Sequence, residues 1–171
     1  MEEIIFREAK ESEYARLAAM AKELWHSAYD GLLGAAQTEY MTDEFQSEAA
    51  LREQIDGKGY RYYFIERGGA EIGYCGVQPQ GDKFFLSKLY LSDDCRGRGI
   101  GQAALSEVAR LAREEGARSV YLTVNKGNAR AVRAYEKFGF RPPAGGLSDI
   151  GRGYWMDGYN YEFILSPVVA K

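Results

Sequence analysis

Phe84-Phe85-Leu86-Ser87-Lys88-Leu89-Tyr90-Leu91, then Arg96-Gly97-Arg98-Gly99-Ile100-Gly101, then an amphipathic run to Glu115: this stretch decides the fold. The first segment is rich in aromatic and branched residues and reads as a strand, and the last has helical periodicity. The glycine-dense turn between them bends sharply, because glycine tolerates positive φ and lets the backbone close on a bulky group. A helix starting at such a turn presents unpaired N–H groups and the positive end of its dipole. With Arg96 and Arg98 adding charge, the segment reads as a phosphate cradle. Two common nucleotide motifs fail on spacing. A Walker loop requires Gly-Lys-Ser/Thr where Gly101 is followed by Gln102 and Ala103, and a Rossmann turn requires its third glycine where Gln102 stands.

Downstream, Ser119-Val120-Tyr121-Leu122-Thr123-Val124-Asn125 reads as a buried strand, and Lys126-Gly127 breaks it. Asn128 can cap a helix over Ala129 to Phe138, with Gly139 in the C-terminal glycine position. Asn128, Ala131, Val132 and Tyr135 then share one helical face, placing an amide and a phenol in line two turns apart.

Together the two segments resemble the GNAT acetyltransferase superfamily. Arg96-Gly97-Arg98-Gly99-Ile100-Gly101 is similar to its Arg/Gln-x-x-Gly-x-Gly/Ala signature. The run from Asn128 to Tyr135, closed by Lys137-Phe138-Gly139-Phe140, resembles its second signature. The resemblance implies acetyl-CoA as cofactor and assigns roles by position. Leu89, Tyr90 and Leu91 would pair with the pantetheine arm like an added strand. Arg96, Gly97, Arg98, Gly99, Ile100, Gly101 and Gln102 would hold the pyrophosphate. Asn128 would bond the arm, and Tyr135 would lie beside the thioester sulfur. Arg130 and Arg133, with Lys137, form a basic stripe that either meets the adenosine phosphate or is a solvated face.

Composition agrees with one enzyme domain over residues 1–171. That length buries one sizeable core. At 46% hydrophobic and 27% charged residues the chain is ordinary for a globular protein. A net charge of -3 argues against nucleic acid as a partner. The longest apolar runs, such as Tyr62 to Ile65, are far short of a membrane span, and an acidic Met1-Glu2-Glu3 is unlike a signal peptide, so the expected location is the cytoplasm. Cys75 and Cys95 do not make a disulfide framework, and no metal site is expected.

The remaining elements follow in order: a strand over Ile4 to Ala9 and a helix capped by Ser12 carrying Leu17, Met20, Ala21 and Leu24. An irregular aromatic stretch from Trp25 to Thr42 and a short helix over Ser47 to Ile55 come next. A hairpin then turns at Gly68-Gly69, and a final strand from Trp155 to Leu165 closes the chain. This order predicts a mixed α/β layer fold. By resemblance it is the GNAT fold, a central mixed sheet of six to seven strands flanked by about four helices.

The implied chemistry is direct transfer of an acetyl group to a primary amine in a ternary complex. An alkyl amine with a pKa near 10.4 is neutral in only roughly a thousandth of molecules at pH 7, so a base or ordered water chain must take its proton. Tyr135, a phenol, is the candidate acid for the leaving thiolate, and the resemblance makes the Leu91 N–H the oxyanion donor. The base stays open among Glu66, Glu71, His26 and water; the resemblance puts a glutamate near Phe85 in many relatives. Trp25, His26, Tyr29 and Trp155 are the substrate-binding candidates. Tyr40, Met41, Phe45 and Tyr159 are further aromatic or apolar linings, and Asp149 or Asp157 would hold an ammonium group. A polyamine-like or other small amine is the first acceptor class, with a protein or peptide amine as the alternative. A noncatalytic acyl-CoA sensor stays in view on fold grounds. Relatives often dimerise, so a homodimer is a further expectation.

Overall fold

The computed structural model describes residues 3–95, 99–142 and 158–165. Six strands run in the hydrogen-bonded order β1-β2-β3-β4-β5-β6. They are β1 (Ile4–Glu8), β2 (Arg61–Arg67), β3 (Ala70–Gln80), β4 (Lys83–Leu91), β5 (Ser119–Asn125) and β6 (Gly158–Ile164). Five α-helices accompany them among the described residues: α1 (Tyr14–Leu33), α2 (Ala35–Phe45), α3 (Glu48–Lys58), α4 (Ile100–Glu114) and α5 (Ala129–Phe138). The sheet is mixed. β1 and β3 both run antiparallel to β2, β4 pairs in parallel with β5 through Lys83↔Ser119 to Phe85↔Tyr121, and β6 is antiparallel to β5. The chain divides into two compact units, Met1–Gln78 with Lys88–Gly101, and Pro79–Ser87 with Gln102–Lys171.

In the first unit the Gly68-Gly69 turn, with φ of 59° and 83°, closes the β2–β3 hairpin. Two left-handed residues in succession match the twist of the flanking strands, and glycine takes them without steric cost. Ser47 caps α3, its hydroxyl accepting from the Ala50 N–H at 3.1 Å. The core gathers Leu17, Ala21, Leu24 and Trp25 of α1 with Leu51 of α3, Tyr62 and Phe64 of β2, and Tyr74 of β3.

Two expectations are corrected here. Ser12 does not cap α1. It sits inside a single 3-10 turn, Glu11–Glu13, whose entry is fixed by the Glu13 carboxylate accepting from the Lys10 N–H at 2.9 Å. The stretch from Trp25 to Thr42 is not irregular. α1 runs straight through Gly31 to Leu33, and only Gly34, at φ 88°, separates it from α2. A single glycine costs a helix about 1 kcal/mol, which the buried face of a 20-residue helix readily offsets. Five α-helices stand among the described residues, in line with the expected number of about four.

In the second unit, β4 contributes Phe84 and Leu86, β5 contributes Val120 and Leu122, and α4 buries Ala104, Leu105, Val108 and Ala112 at helical spacing. Phe138, Phe140 and Phe163 pack with ring centroids 4.9 to 6.0 Å apart. Gly139 ends α5 at φ 124°. Both cysteines are buried and free.

Candidate functional site

In the first unit, the last residues of β4 meet the middle of α1. Trp25 and Tyr29, four residues apart on one helical face, both pack on Tyr90, with centroids 5.5 and 6.1 Å away. The Tyr29 and Tyr90 hydroxyls share a hydrogen bond of 2.8 Å. Behind them a polar chain crosses the core. The Trp25 indole donates to Tyr74 Oη at 2.7 Å, and Tyr74 donates to Gln46 Oε1 at 2.7 Å. Tyr62 donates to Gln54 at 2.6 Å. Burial raises the phenol pKa of both Tyr62 and Tyr74, so these groups act as fixed hydrogen-bonding parts of the core rather than as acids. Trp25 is thus a buried wall of the cluster, and Tyr29 is its partly accessible edge.

His26 faces the other way. Its Nδ1 lies 2.7 Å from Asp30 and its Nε2 2.8 Å from Glu39, while Lys22 pairs with the same Glu39 at 2.5 Å. The two carboxylate partners raise the imidazole pKa, Glu39 most. The other base candidates are also engaged. Arg7 donates to Glu66 at 2.8 Å, to Glu71 at 3.0 Å and to Glu13 at 3.0 Å, and Arg16 joins Glu13 and Glu71. The Lys10 N–H and then Arg7 hold the Glu13 carboxyl down at about 2.

Lys88 is the residue the sequence reading passed over. It is half-buried on β4, one position before Leu89, and burial pushes its ammonium down to about 8. The available signal was its register: in an alternating strand it shares a face with Phe84, Leu86 and Tyr90.

The cradle begins with Gly99 at φ 73°, directly before α4. A Cβ at Gly99 or Gly101 would meet no atom of the described residues within 4 Å. The N–H groups of the first helical turn, from Ile100 to Gln102, have no intrahelical acceptor. This donor set fits a diphosphate and adds the helix dipole to it. Arg96, Gly97 and Arg98 lie outside the described residues, as do Trp155, Asp149 and Asp157.

In the second unit the Gln102 side chain donates to the Ala134 carbonyl at 3.0 Å, tying the start of α4 to α5. Asn128 caps α5 as predicted, accepting from the Ala131 N–H at 3.3 Å. Tyr135 stands two turns along, half-buried, its ring edge-on to Phe140 at 5.6 Å. Arg130, Arg133 and Lys137 are all exposed on α5. Of the further lining candidates, Met41 packs against the first unit's core, whereas Tyr40 and Phe45 are exposed on α2 and Tyr159 stacks on Tyr161 at 5.8 Å.

The sequence model of the Acetyltransferase (GNAT) family matches residues 17–140. The chain belongs to the GNAT acetyltransferase family. Membership makes it an acetyl-CoA-dependent N-acetyltransferase. An uncharacterised N-acetyltransferase of Mycobacterium tuberculosis is 36% identical over 124 residues, covering 72% of this chain and 71% of that protein. The thialysine N-epsilon-acetyltransferase of Sus scrofa is 28% identical over 159 residues, 82% of this chain and 86% of that one. Among solved structures, the PaiA N-acetyltransferase of Thermoplasma acidophilum in complex with coenzyme A superposes with a TM-score of 0.78 at 21% identity, covering 94% and 98% of the two chains. No helix among the described residues is long and apolar enough to cross a membrane.

Proposed function

We propose that this GNAT protein moves the acetyl group of acetyl-CoA directly to the primary amine of a small molecule. The observation that carries the reading is the left-handed Gly99 opening directly onto the first turn of α4. Bound acetyl-CoA supplies an acyl group already activated as a thioester. The chain's own groups then divide the work. N–H donors from Ile100 to Gln102 bind the diphosphate, and the backbone of Leu89 to Leu91 aligns the arm. The Leu91 N–H donates to the oxygen that gains charge as the amine adds. Tyr135 gives its proton to the departing thiolate as the carbon–sulfur bond breaks and the carbon–nitrogen bond persists.

The amine must first lose a proton. Glu66 and Glu71 are held by guanidinium groups and His26 is hydrogen-bonded to a carboxylate at each ring nitrogen; the half-buried Lys88 or an ordered water chain takes the proton. At a pKa of about 8 Lys88 is neutral in roughly a tenth of molecules at pH 7, about 300-fold more than an unperturbed lysine. The aromatic edge at Tyr29 and Tyr90 suits a cationic or alkyl amine, and the similarity to a thialysine acetyltransferase supports a small amine.

Titration calorimetry with coenzyme A tests the cradle, and thiol release from acetyl-CoA across an amine panel tests the transfer. Heat with CoA together with turnover on small amines is expected. Binding without turnover on any amine would leave a sensor, turnover only on peptide amines would move the acceptor class, and no heat would end the reading.

A further inference from the structure

Gly73 lies in the interior of β3, opposite Ile65 of β2, and is buried. It forms no turn and its φ is not in the left-handed range, so backbone conformation does not call for glycine. Glycine weakens a strand, and in a strand interior it marks a bulge or a close approach of another backbone; the β2–β3 register shifts at Ile65/Glu66 beside Gly73, and a second backbone also comes close. Here that backbone is the end of β4. A Cβ on Gly73 would fall closer than 3.0 Å to the Tyr90 carbonyl oxygen and reach 3.0 Å from Leu91 Cα. Main chain, unlike a side-chain tip, cannot swing aside. Gly76, three residues on, differs in kind: the atoms nearest a Cβ there belong to the Tyr62 ring, 2.6 Å away at Cε1.

The approach fixes a direction. The Tyr90 carbonyl is aimed at Gly73, and in a trans peptide the N–H of the next residue points the opposite way. The Leu91 N–H is therefore turned away from β3. The following N–H, of Ser92, points back and donates to the Ile72 carbonyl at 2.9 Å. The Tyr90 side chain is held as well, its ring stacked on Tyr74 at 5.7 Å and its hydroxyl bonded to Tyr29 at 2.8 Å. One peptide is thus clamped on its backbone and its side chain, with one donor left facing outward.

We propose that Gly73 is a positioning residue for acyl transfer: its missing side chain lets the Tyr90–Leu91 peptide lie against β3, and this aims the Leu91 N–H at the acyl oxygen. The inference rests on the acetyltransferase reading above. Gly73 touches neither reacting atom and acts through Leu91. A methyl group there would push the peptide outward by a substantial fraction of an ångström, and a donor misplaced on that scale costs on the order of 10²-fold in rate.

Gly73→Ala and Gly76→Ala, each adding one methyl to the same strand, form the test, with wild-type CoA binding and turnover measured first. If the wild type neither binds CoA nor turns over, the acetyltransferase reading has failed and Gly73 is not at issue. With an active wild type, Gly73→Ala should keep its CoA affinity and its amine KM within about threefold while kcat drops about a hundredfold. Gly76→Ala should lose thermal stability but keep kcat. Equal kcat in the two variants overturns the proposal. So does failure of Gly73→Ala to fold when Gly76→Ala folds, because Gly73 would then serve the fold rather than the aim of a donor.

Discussion

His26 Nε2 and Glu39 Oε1 lie 2.8 Å apart, a bond that joins the middle of α1 to α2 across the glycine break at Gly34. Asp30 holds the other ring nitrogen, and Lys22 and Asp43 complete the charged group. The folded protein raises the His26 pKa above 6.5 and lowers that of Glu39 below 4.5. The histidine contribution is therefore complete below about pH 6.5 and is lost as pH rises through the folded pKa. The Glu39 contribution is complete above about pH 4.5 and is lost as pH falls through its own. Between those limits the clasp is strongest. His26→Gln is expected to melt lower than the wild type near pH 6, with the gap closing toward pH 9, as read by paired thermal melts.

Lys88 predicts a dependence of the opposite sign. Its folded pKa of about 8 lies below the ordinary 10.5, so the folded state carries the cost of a half-buried charge at neutral pH and is relieved of it as pH rises from 8 to 10.5. Lys88→Met should be more stable than the wild type at pH 7, by about 1 to 3 kcal/mol, and the gain should shrink by pH 10.5. The same substitution should remove the alkaline-rising limb near pH 8 from the rate profile. Urea melts and pH–rate curves on one preparation check both.

Tyr135→Phe removes the proton donor and leaves the ring on Phe140. The expected result is a fall in kcat on the order of 10²-fold, with CoA affinity within about threefold. A thiol-release assay alongside calorimetry separates the two quantities. An unchanged rate across pH would assign the leaving-group proton to another donor.

Gly99→Leu strains a φ of 73° and adds a side chain on the glycine side of the cradle. The fold should lose about 1 kcal/mol from the left-handed conformation. CoA affinity should fall by at least about a hundredfold, because the backbone donors of α4 can no longer be approached. Calorimetry gives the affinity, and a denaturant melt gives the strain.

Much of this was legible locally. β5 and α5 stand at the predicted residues, because a β-branched run, an asparagine cap and a terminal glycine each act within a few residues of themselves. Gly99 was readable for the same reason: a positive-φ bend before a helix is a short-range requirement. The path from Trp25 to Thr42 was not, since its glycines and aromatics looked like breaks until the buried face of α1 outweighed them. Lys88 was hidden because burial is a property of what covers a strand.

The sequence by itself determined the β2–β3 hairpin, the β5 and α5 elements, the glycine bend before α4 and the cap-to-phenol spacing on α5, all set by short-range steric and hydrogen-bonding rules. Only the tertiary structure decided which charges His26, Glu66 and Glu71 answer to, how far the Lys88 ammonium is desolvated, and that Tyr90 lies against Gly73. Those are contacts between residues far apart in the chain. Their energies depend on distance and burial in three dimensions, which no local spacing encodes.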